Sequence, residues 1–263
     1  MPTAEVNGIK LYYEDYGSGY PVVFLHGFAG TTQAWKPQVP AFSKHYRFII
    51  YDARGHGQSQ SPPSHDQYSA DIVADDLHQL LRVLNIPEAV LGGLSTGGYQ
   101  CLRFHLRHPE MVSALILMGT GPGYRNLSHM AKWNQLPIAQ AKLLETKGIV
   151  AFAEEPNTQT MMSYTPAELM LKQNPIGLAN MARKVVAQHD SQVIKHLGEI
   201  KVPTLVVVGE YDTLFLAAAD YMLKTIPKAR RVTIPQAGHA VNLDNTEIFN
   251  QAILNFLDEL HLK

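Results

Sequence analysis

Ala89-Val90-Leu91-Gly92-Gly93-Leu94-Ser95-Thr96-Gly97-Gly98 is an apolar run that ends in a serine bracketed by glycines, with a helical pattern beginning near Thr96. Gly93 to Gly97 fits G-x-S-x-G, in which the serine occupies a strained turn from strand to helix and exposes its hydroxyl at the carboxyl end of a sheet. A glycine-rich turn with an incidental serine is the alternative. Because a strand precedes the motif and a helix follows it, we interpret Ser95 as a catalytic nucleophile.

Short apolar runs on either side of this motif predict further strands. They cover residues 21–25, 47–51, 89–92, 114–118 and 204–208, with a shorter run at 232–234. Runs that are apolar on both faces are typical of parallel strands covered by helices, and helical periodicity at 72–84 and 248–260 supplies such helices. Asn7-Gly8 between two strand-like runs predicts a tight antiparallel hairpin. The pattern indicates an α/β fold with a mostly parallel, doubly wound sheet.

One segment interrupts the alternation of strands and helices. Residues 121–197 contain no strand-like run, only helix-like pieces separated by prolines at 122, 137, 156, 166 and 175. The segment is too long for a loop. We expect a helical cap at 121–197, inserted into a core formed by residues 1–120 and 198–263.

A serine nucleophile needs a base and a group that orients the base. Asp212 follows the run at 204–208, and His239 lies on a loop after the run at 232–234. The order Ser, Asp, His is the one found with this type of turn, so we predict Asp212 as the acid and His239 as the base. Considered alone, an aspartate after a strand is commonly a helix N-cap. A histidine chosen from the 12 in this chain is commonly a surface residue. Glu210 is the alternative acid.

The loop at 26–30, His26-Gly27-Phe28-Ala29-Gly30, follows an early strand. We expect it to supply one of two backbone N–H groups that stabilise the oxyanion, from Phe28, while Thr96 supplies the other. His26 is a candidate second base, but we favour a structural role in which its ring hydrogen-bonds to backbone and fixes this loop.

A second charged loop, Asp52-Ala53-Arg54-Gly55-His56-Gly57-Gln58-Ser59, follows the run at 47–51. A glycine-rich turn after a buried strand is one way to bind phosphate, but this spacing matches no phosphate loop. We therefore expect Asp52 and Arg54 to pair with neighbouring turns.

Composition excludes several classes of function. The 263 residues carry 22 Lys+Arg and 23 Asp+Glu, a net charge of -1, so no basic field favours nucleic acid. The one cysteine, Cys101, excludes an intramolecular disulfide and a cysteine-rich metal site, and we expect it to be a small core residue. The N-terminal residues lack a signal-peptide pattern and no apolar run approaches the ~20 residues of a membrane span. We expect a cytoplasmic protein with no membrane partner.

These motifs together resemble the landmarks of the α/β-hydrolase superfamily, and the resemblance covers nearly the whole chain outside 121–197. They are His26-Gly27-x-x-Gly30, Asp52-x-Arg54-Gly55-x-Gly57-x-Ser59, Gly93-x-Ser95-x-Gly97-Gly98, Gly209-x-x-Asp212 and Gly238-His239. The resemblance implies the α/β-hydrolase fold and a cap over the active site. Haloalkane dehalogenases and epoxide hydrolases of this superfamily use an aspartate nucleophile, and proline iminopeptidases carry a different oxyanion loop. The elbow is similar to that of cofactor-free haloperoxidases.

The resulting hypothesis is hydrolysis of a small, largely apolar ester or lactone through an acyl-enzyme, with no metal or organic cofactor. The alternatives are a carbon–carbon bond hydrolase of ring-cleavage products and a ligand receptor with vestigial hydrolysis. Trp133 and Met162 are candidate substrate contacts, because the cap holds five of the nine methionines, and also Tyr164 and Leu169. The alternative is that these side chains only pack the cap helices against one another. The expected partner is a small-molecule substrate, and nothing in the sequence indicates an oligomeric state.

Overall fold

A computed structural model describes residues 2–262 and contains one eight-stranded sheet. The strands are β1 (Thr3–Val6), β2 (Ile9–Tyr16), β3 (Pro21–Leu25), β4 (Arg47–Tyr51), β5 (Ala89–Leu94), β6 (Val112–Met118), β7 (Thr204–Gly209) and β8 (Ala229–Ile234). Their order is β1-β2-β4-β3-β5-β6-β7-β8. β2 pairs antiparallel with β1 and β4, and the remaining pairs are parallel. The expected mostly parallel sheet with an N-terminal hairpin is confirmed.

The hairpin turns at Asn7 and Gly8, whose φ angles of 42° and 75° are both positive. Positive φ at both positions is what a type I′ turn requires, and Asn-Gly is the pair that supplies it at least cost. The turn closes the register in which Val6 faces Ile9.

Helices cover both faces of the sheet. They are α1 (Val39–Phe42), α2 (Ala70–Val83), α3 (Thr96–Arg107), α4 (Leu127–Glu154), α5 (Pro156–Met161), α6 (Ala167–Met170), α7 (Pro175–Met181), α8 (Gln192–His196), α9 (Leu216–Thr225), α10 (Val241–Asp244) and α11 (Thr246–Glu259). In β3, Val22 and Phe24 enter one buried cluster and Val23 and Leu25 the other. This alternation explains why the strand is a continuous apolar run.

The edge strand β8 starts earlier than the apolar pattern predicts. Arg230 and Arg231 are exposed on it, and they pair with Glu259 and Asp220 respectively. Charged side chains suit a sheet edge because they discourage pairing with another chain. The apolar run at 232–234 therefore predicted only the last three residues of β8.

Between β6 and β7, where every residue is described, the regular elements are helical. Pro156 and Pro175 begin α5 and α7, where the missing N–H costs nothing. The expected break at Pro137 is wrong: α4 continues through this buried residue and is interrupted instead at Gly148, whose φ is 77°. The division of the chain into cap and core stays a prediction.

Candidate active site

Ser95 occupies a tight turn between β5 and α3 with φ 54° and ψ −118°. A non-glycine residue rarely adopts such a conformation, and the neighbouring glycines make room for it. A Cβ on Gly93 would lie 2.3 Å from the carbonyl carbon of Gly97, and a Cβ on Gly97 would lie 2.4 Å from the carbonyl oxygen of Leu25. The G-x-S-x-G spacing is therefore a steric requirement of this turn.

Asp212 and His239 lie on loops that follow the adjacent strands β7 and β8. The Asp212 Oδ2 and His239 Nδ1 atoms are 2.9 Å apart, and both side chains are largely buried. Glu210, the alternative acid, instead accepts a hydrogen bond of 2.9 Å from the backbone N–H of Gln236. Phe215 stacks on the imidazole, with 5.1 Å between ring centroids and 17° between planes.

The turn after β6 lies between this pair and the serine. A Cβ on Gly119 would be 3.1 Å from both Asp212 Oδ2 and His239 Nδ1. The next residue, Thr120, donates its hydroxyl proton to the carbonyl oxygen of Ser95 at 2.7 Å. Gly119 and Thr120 form a turn at the carboxyl edge of the sheet. The Asp212–His239 pair lies against Gly119, and Ser95 is hydrogen-bonded to Thr120.

His26 is held between two backbone groups. Its Nδ1 lies 2.7 Å from the carbonyl oxygen of Gly27, and its Nε2 accepts from the N–H of Ala53 at 2.9 Å. Burial lowers the pKa of His26, which suits a neutral ring with one donor and one acceptor nitrogen. The expected structural role is confirmed.

The charged side chains of the loop after β4 have partners both within the loop and on neighbouring elements. Asp52 accepts the N–H groups of Thr32 at 2.7 Å and Gln58 at 2.8 Å. Arg54 forms two hydrogen bonds with Asp76, of 2.8 and 2.7 Å, and both side chains are buried. Pairing of Asp52 and Arg54 within the protein is as expected, although the partner of Arg54 lies in α2 and not in a turn.

The backbone N–H groups predicted to stabilise an oxyanion have no protein acceptor among the hydrogen bonds of residues 2–262. Thr96 is the first residue of α3, so its N–H has no acceptor within the helix. A Cβ on Gly27, next to Phe28, would lie 3.4 Å from Ser95 Cβ. The loop at 26–30 therefore lies directly against the serine.

Ser95 opens into a cavity of about 620 Å³, including its solvent-open mouth. Its lining carries no formally charged side chain; it consists of Ser95, Thr96, Tyr99, Thr120, Gly121, Pro122, Gly123, Tyr124, Trp133, Val185, Val186, Gln188, Leu214, Phe215 and Ala218. The Trp133 indole N–H donates to the carbonyl of Val186 at 3.0 Å, so Trp133 presents ring surface and no free donor.

Of the two predicted substrate contacts, Trp133 lines the cavity and Met162 does not. Met162 is 5% exposed and packs in the hydrophobic core together with Met170 and Met181. No methionine is among the residues of the cavity at Ser95. Cys101 is fully buried on α3, as expected of a core residue.

Of the cavity residues, sequence reasoning named Ser95, Thr96 and Trp133 and missed the others, among them Phe215 and Gln188. Phe215 belongs to an apolar run that begins at Leu214, two residues after Asp212, and this closeness to the predicted acid is the one sequence feature that could have indicated it. Gln188 has no comparable pattern; its Oε1 accepts from the N–H of Tyr124 at 3.1 Å and its backbone pairs with the side chain of Asn134.

Within residues 2–262 there is no group of three or more His, Cys, Asp or Glu side chains arranged to hold a metal ion. The same residues include no helix that is long and apolar enough to cross a membrane.

Comparison with known proteins defines the family. A family model described as alpha/beta hydrolase fold matches residues 20–160. The putative 2-succinyl-6-hydroxy-2,4-cyclohexadiene-1-carboxylate synthase of Bacillus subtilis is 28% identical, over 97% of each chain. The enol-lactonase from Burkholderia xenovorans is 25% identical with a TM-score of 0.84, covering 98% of this chain and 100% of that one. A thermophilic esterase from Thermogutta terrifontis is 28% identical with a TM-score of 0.86, covering 99% and 98%.

The chain belongs to the alpha/beta hydrolase fold family. It is an enzyme of the hydrolase class, as the esterase and enol-lactonase among its structural neighbours indicate.

Proposed function

We propose that this enzyme hydrolyses a small, largely apolar carboxylic ester or lactone through an acyl-enzyme on Ser95. The observation that carries the proposal is the convergence of three strand-end loops: Ser95 in its strained turn, and the hydrogen-bonded pair Asp212–His239 on the other side of the turn at 119–120. Nucleophile, base and orienting acid are the parts that acyl transfer by a serine requires.

In the proposed reaction, the His239 Nε2 removes the Ser95 hydroxyl proton as the Oγ attacks the acyl carbon. Asp212 holds the Nδ1–H and stabilises the imidazolium. The oxygen of the tetrahedral intermediate is stabilised by the N–H groups of Phe28 and Thr96. When the carbon–oxygen bond to the leaving group breaks, the departing alkoxide takes the proton from His239. Water, deprotonated by His239, then attacks the acyl carbon. The bond between that carbon and Ser95 Oγ breaks, Oγ takes the proton back from His239, and the acid is released.

The cavity lining supports an uncharged acyl group. Burying a carboxylate against uncharged walls costs several kcal/mol unless a cation pairs with it, and no lysine or arginine lines the cavity. An apolar acyl group is therefore favoured over one that carries a carboxylate, such as the compound after which the Bacillus subtilis relative is named. Neither carbon–carbon hydrolysis nor a receptor role gains support from these contacts.

The test is a panel of p-nitrophenyl esters with acyl chains of increasing length, lactones and a vinylogous diketone, assayed with wild type and Ser95→Ala. We expect multiple turnovers of esters or lactones by wild type and none by the variant. Turnover of the diketone alone, or a single slow turnover of every compound, would contradict the proposal.

We further propose that no metal is needed, because the side chains and backbone donors named above supply nucleophile, base and charge stabilisation. Activity is expected to survive dialysis against EDTA. Loss of activity that a divalent ion restores would contradict this. The cytoplasmic location remains a prediction.

A further inference from the structure

We infer that Tyr164, from the helical segment between β6 and β7, is a positioning residue for the oxyanion donor of Phe28. The inference rests on the proposed function and adds a residue that acts on the reaction rate without touching the reacting atoms. Tyr164 is 2% exposed, and its hydroxyl donates to the carbonyl oxygen of Phe28 at 2.6 Å. Burial raises the pKa of this phenol, so the hydroxyl keeps its proton.

The orientation of the Phe28 N–H depends on two peptide planes. In a trans peptide the C=O and N–H point in opposite directions. The carbonyl of Gly27 accepts from His26 Nδ1 at 2.7 Å and from the N–H of Gly30 at 2.9 Å. This carbonyl shares a plane with the Phe28 N–H, which therefore points away from both donors.

The second plane, between Phe28 and Ala29, is held at both ends. Tyr164 binds its carbonyl oxygen, and its N–H, from Ala29, donates to His56 Nε2 at 3.0 Å. His56 in turn lies 3.1 Å, through Nδ1, from the carbonyl of Arg54. Because the two planes meet at the Cα of Phe28, holding the second restricts the φ and ψ angles through which the first can turn, and so helps to keep the Phe28 N–H in one direction.

Tyr164 also lies close to the serine. A Cβ on Gly27 would lie 2.6 Å from the Tyr164 hydroxyl oxygen and 3.4 Å from Ser95 Cβ. The rings of Tyr164 and His239 have centroids 6.1 Å apart. The neighbouring Thr165 donates its hydroxyl to the Ala29 carbonyl at 3.1 Å. The insertion therefore reaches over the loop at 26–30 and ties its carbonyls down on the side next to the nucleophile.

The test compares Tyr164→Phe with a matched control, Tyr68→Phe. Tyr68 is equally buried and donates its hydroxyl to the carbonyl of Pro62 at 2.8 Å, away from Ser95. Each variant loses one buried bond from a tyrosine hydroxyl to a backbone carbonyl. We expect Tyr164→Phe to lower kcat about 10- to 100-fold with KM changed less than about threefold. We expect Tyr68→Phe to change kcat less than about twofold.

A readout beyond stability comes from two inhibitors. A trifluoromethyl ketone adds to Ser95 and places an anionic oxygen among the oxyanion donors, whereas the matching methyl ketone binds chiefly as a carbonyl. For Tyr164→Phe we expect the ratio of the two inhibition constants to shift by about tenfold or more against the trifluoromethyl ketone. The ratio of the two inhibition constants does not depend on the amount of folded enzyme. It therefore tests the role of Tyr164 even in a variant that folds only in part.

An unchanged kcat and an unchanged ratio in Tyr164→Phe would overturn the inference. Equal losses in Tyr164→Phe and Tyr68→Phe would also overturn it, because they would show a general effect on stability. A failure of the proposed function has a different signature, since wild type would then neither turn over esters nor bind the trifluoromethyl ketone covalently at Ser95.

Discussion

The loops at the ends of β5, β7 and β8 and the helical segment at 121–197 contribute to the candidate site in different ways. In the loops, the sheet determines where Ser95, Asp212 and His239 lie, because neighbouring parallel strands end at the same edge. The helical segment lines the cavity with residues 121–124, with Trp133 of α4 and with Val185, Val186 and Gln188. The comparison teaches that the sheet sets the positions of the proposed catalytic side chains, whereas helix packing sets which side chains of the segment reach the cavity. Tyr164 joins the two regions.

The largest effect is expected at the strand ends. Ser95→Ala removes the nucleophile and His239→Ala removes the base, and because the groups act as a unit, each variant alone should lose about 10⁶-fold in kcat. The double variant should lose no more than either single one. Steady-state kinetics on the best ester of the panel measures this, and additive losses would contradict a single catalytic unit.

A smaller loss is expected for the acid. Asp212→Asn leaves the nucleophile and the imidazole in place but favours the wrong tautomer, so kcat should fall about 10⁴-fold. Glu210→Gln is the matched control, because it changes a carboxylate on the same loop that bonds to the N–H of Gln236 and not to His239. If Glu210→Gln proved the more damaging variant, the acid would be misassigned.

The wall formed by the helical segment should change selectivity and leave the mechanism intact. Trp133→Ala removes ring surface from the cavity, and steric differences of about a methylene are worth ~1–3 kcal/mol. We expect the ratio of kcat/KM between short and long acyl chains to shift tens-fold. Met162→Ala is the control, since Met162 does not line the cavity; it should lower stability and leave the ratio unchanged. If Trp133→Ala left the ratio of kcat/KM between short and long acyl chains unchanged, the assignment of Trp133 to the substrate cavity would be wrong.

The smallest effect concerns the pH dependence of stability. Burial lowers the pKa of His56 from 6.5 to about 3, and the repulsion that its protonated ring would meet from a protonated His26 adds to the shift. The unfolded chain therefore binds a proton below about pH 6.5 that the folded protein excludes, so stability falls as pH falls from that value toward the folded pKa. Between pH 7 and pH 5 the loss is about 2 kcal/mol from this residue.

Urea unfolding of wild type and His56→Gln at pH 7 and pH 5 measures this contribution. Glutamine keeps an acceptor for the N–H of Ala29 but does not titrate, so the variant should lose less stability on acidification. His26 and Asp52 are present in both proteins, so the comparison isolates the titration of His56 together with its interaction with His26. An identical pH dependence in the two proteins would contradict the assignment to His56.

The sequence predicted the strands whose apolar runs are buried on both faces, and β3 and β4 have the expected bounds. It also predicted Asp212 and His239 as partners, because chain order and position after a strand specify them, and the structure places these two side chains in contact. Their catalytic role, like that of Ser95, is a prediction that the experiments above test.

The cavity wall could not be predicted in the same way. Trp133 and Met162 were chosen for the same apolar character, yet only Trp133 reaches the cavity, because the direction of each side chain depends on how α4 and α5 pack. The contact of Tyr164 with Phe28 joins residues 136 positions apart, and no local pattern encodes such a pair. Gly119 likewise gains its place beside Asp212 and His239 only from the order of the strands.

The most direct test of the central claim is covalent labelling with a serine-directed fluorophosphonate, followed by mass spectrometry of the intact protein and its peptides. We expect one label per wild-type chain, on the peptide that contains Ser95, and none on Ser95→Ala. Labelling of Asp212→Asn should be much slower than that of wild type, because the base has lost its orienting carboxylate. A label on any other residue, or robust ester turnover by Ser95→Ala, would contradict the account.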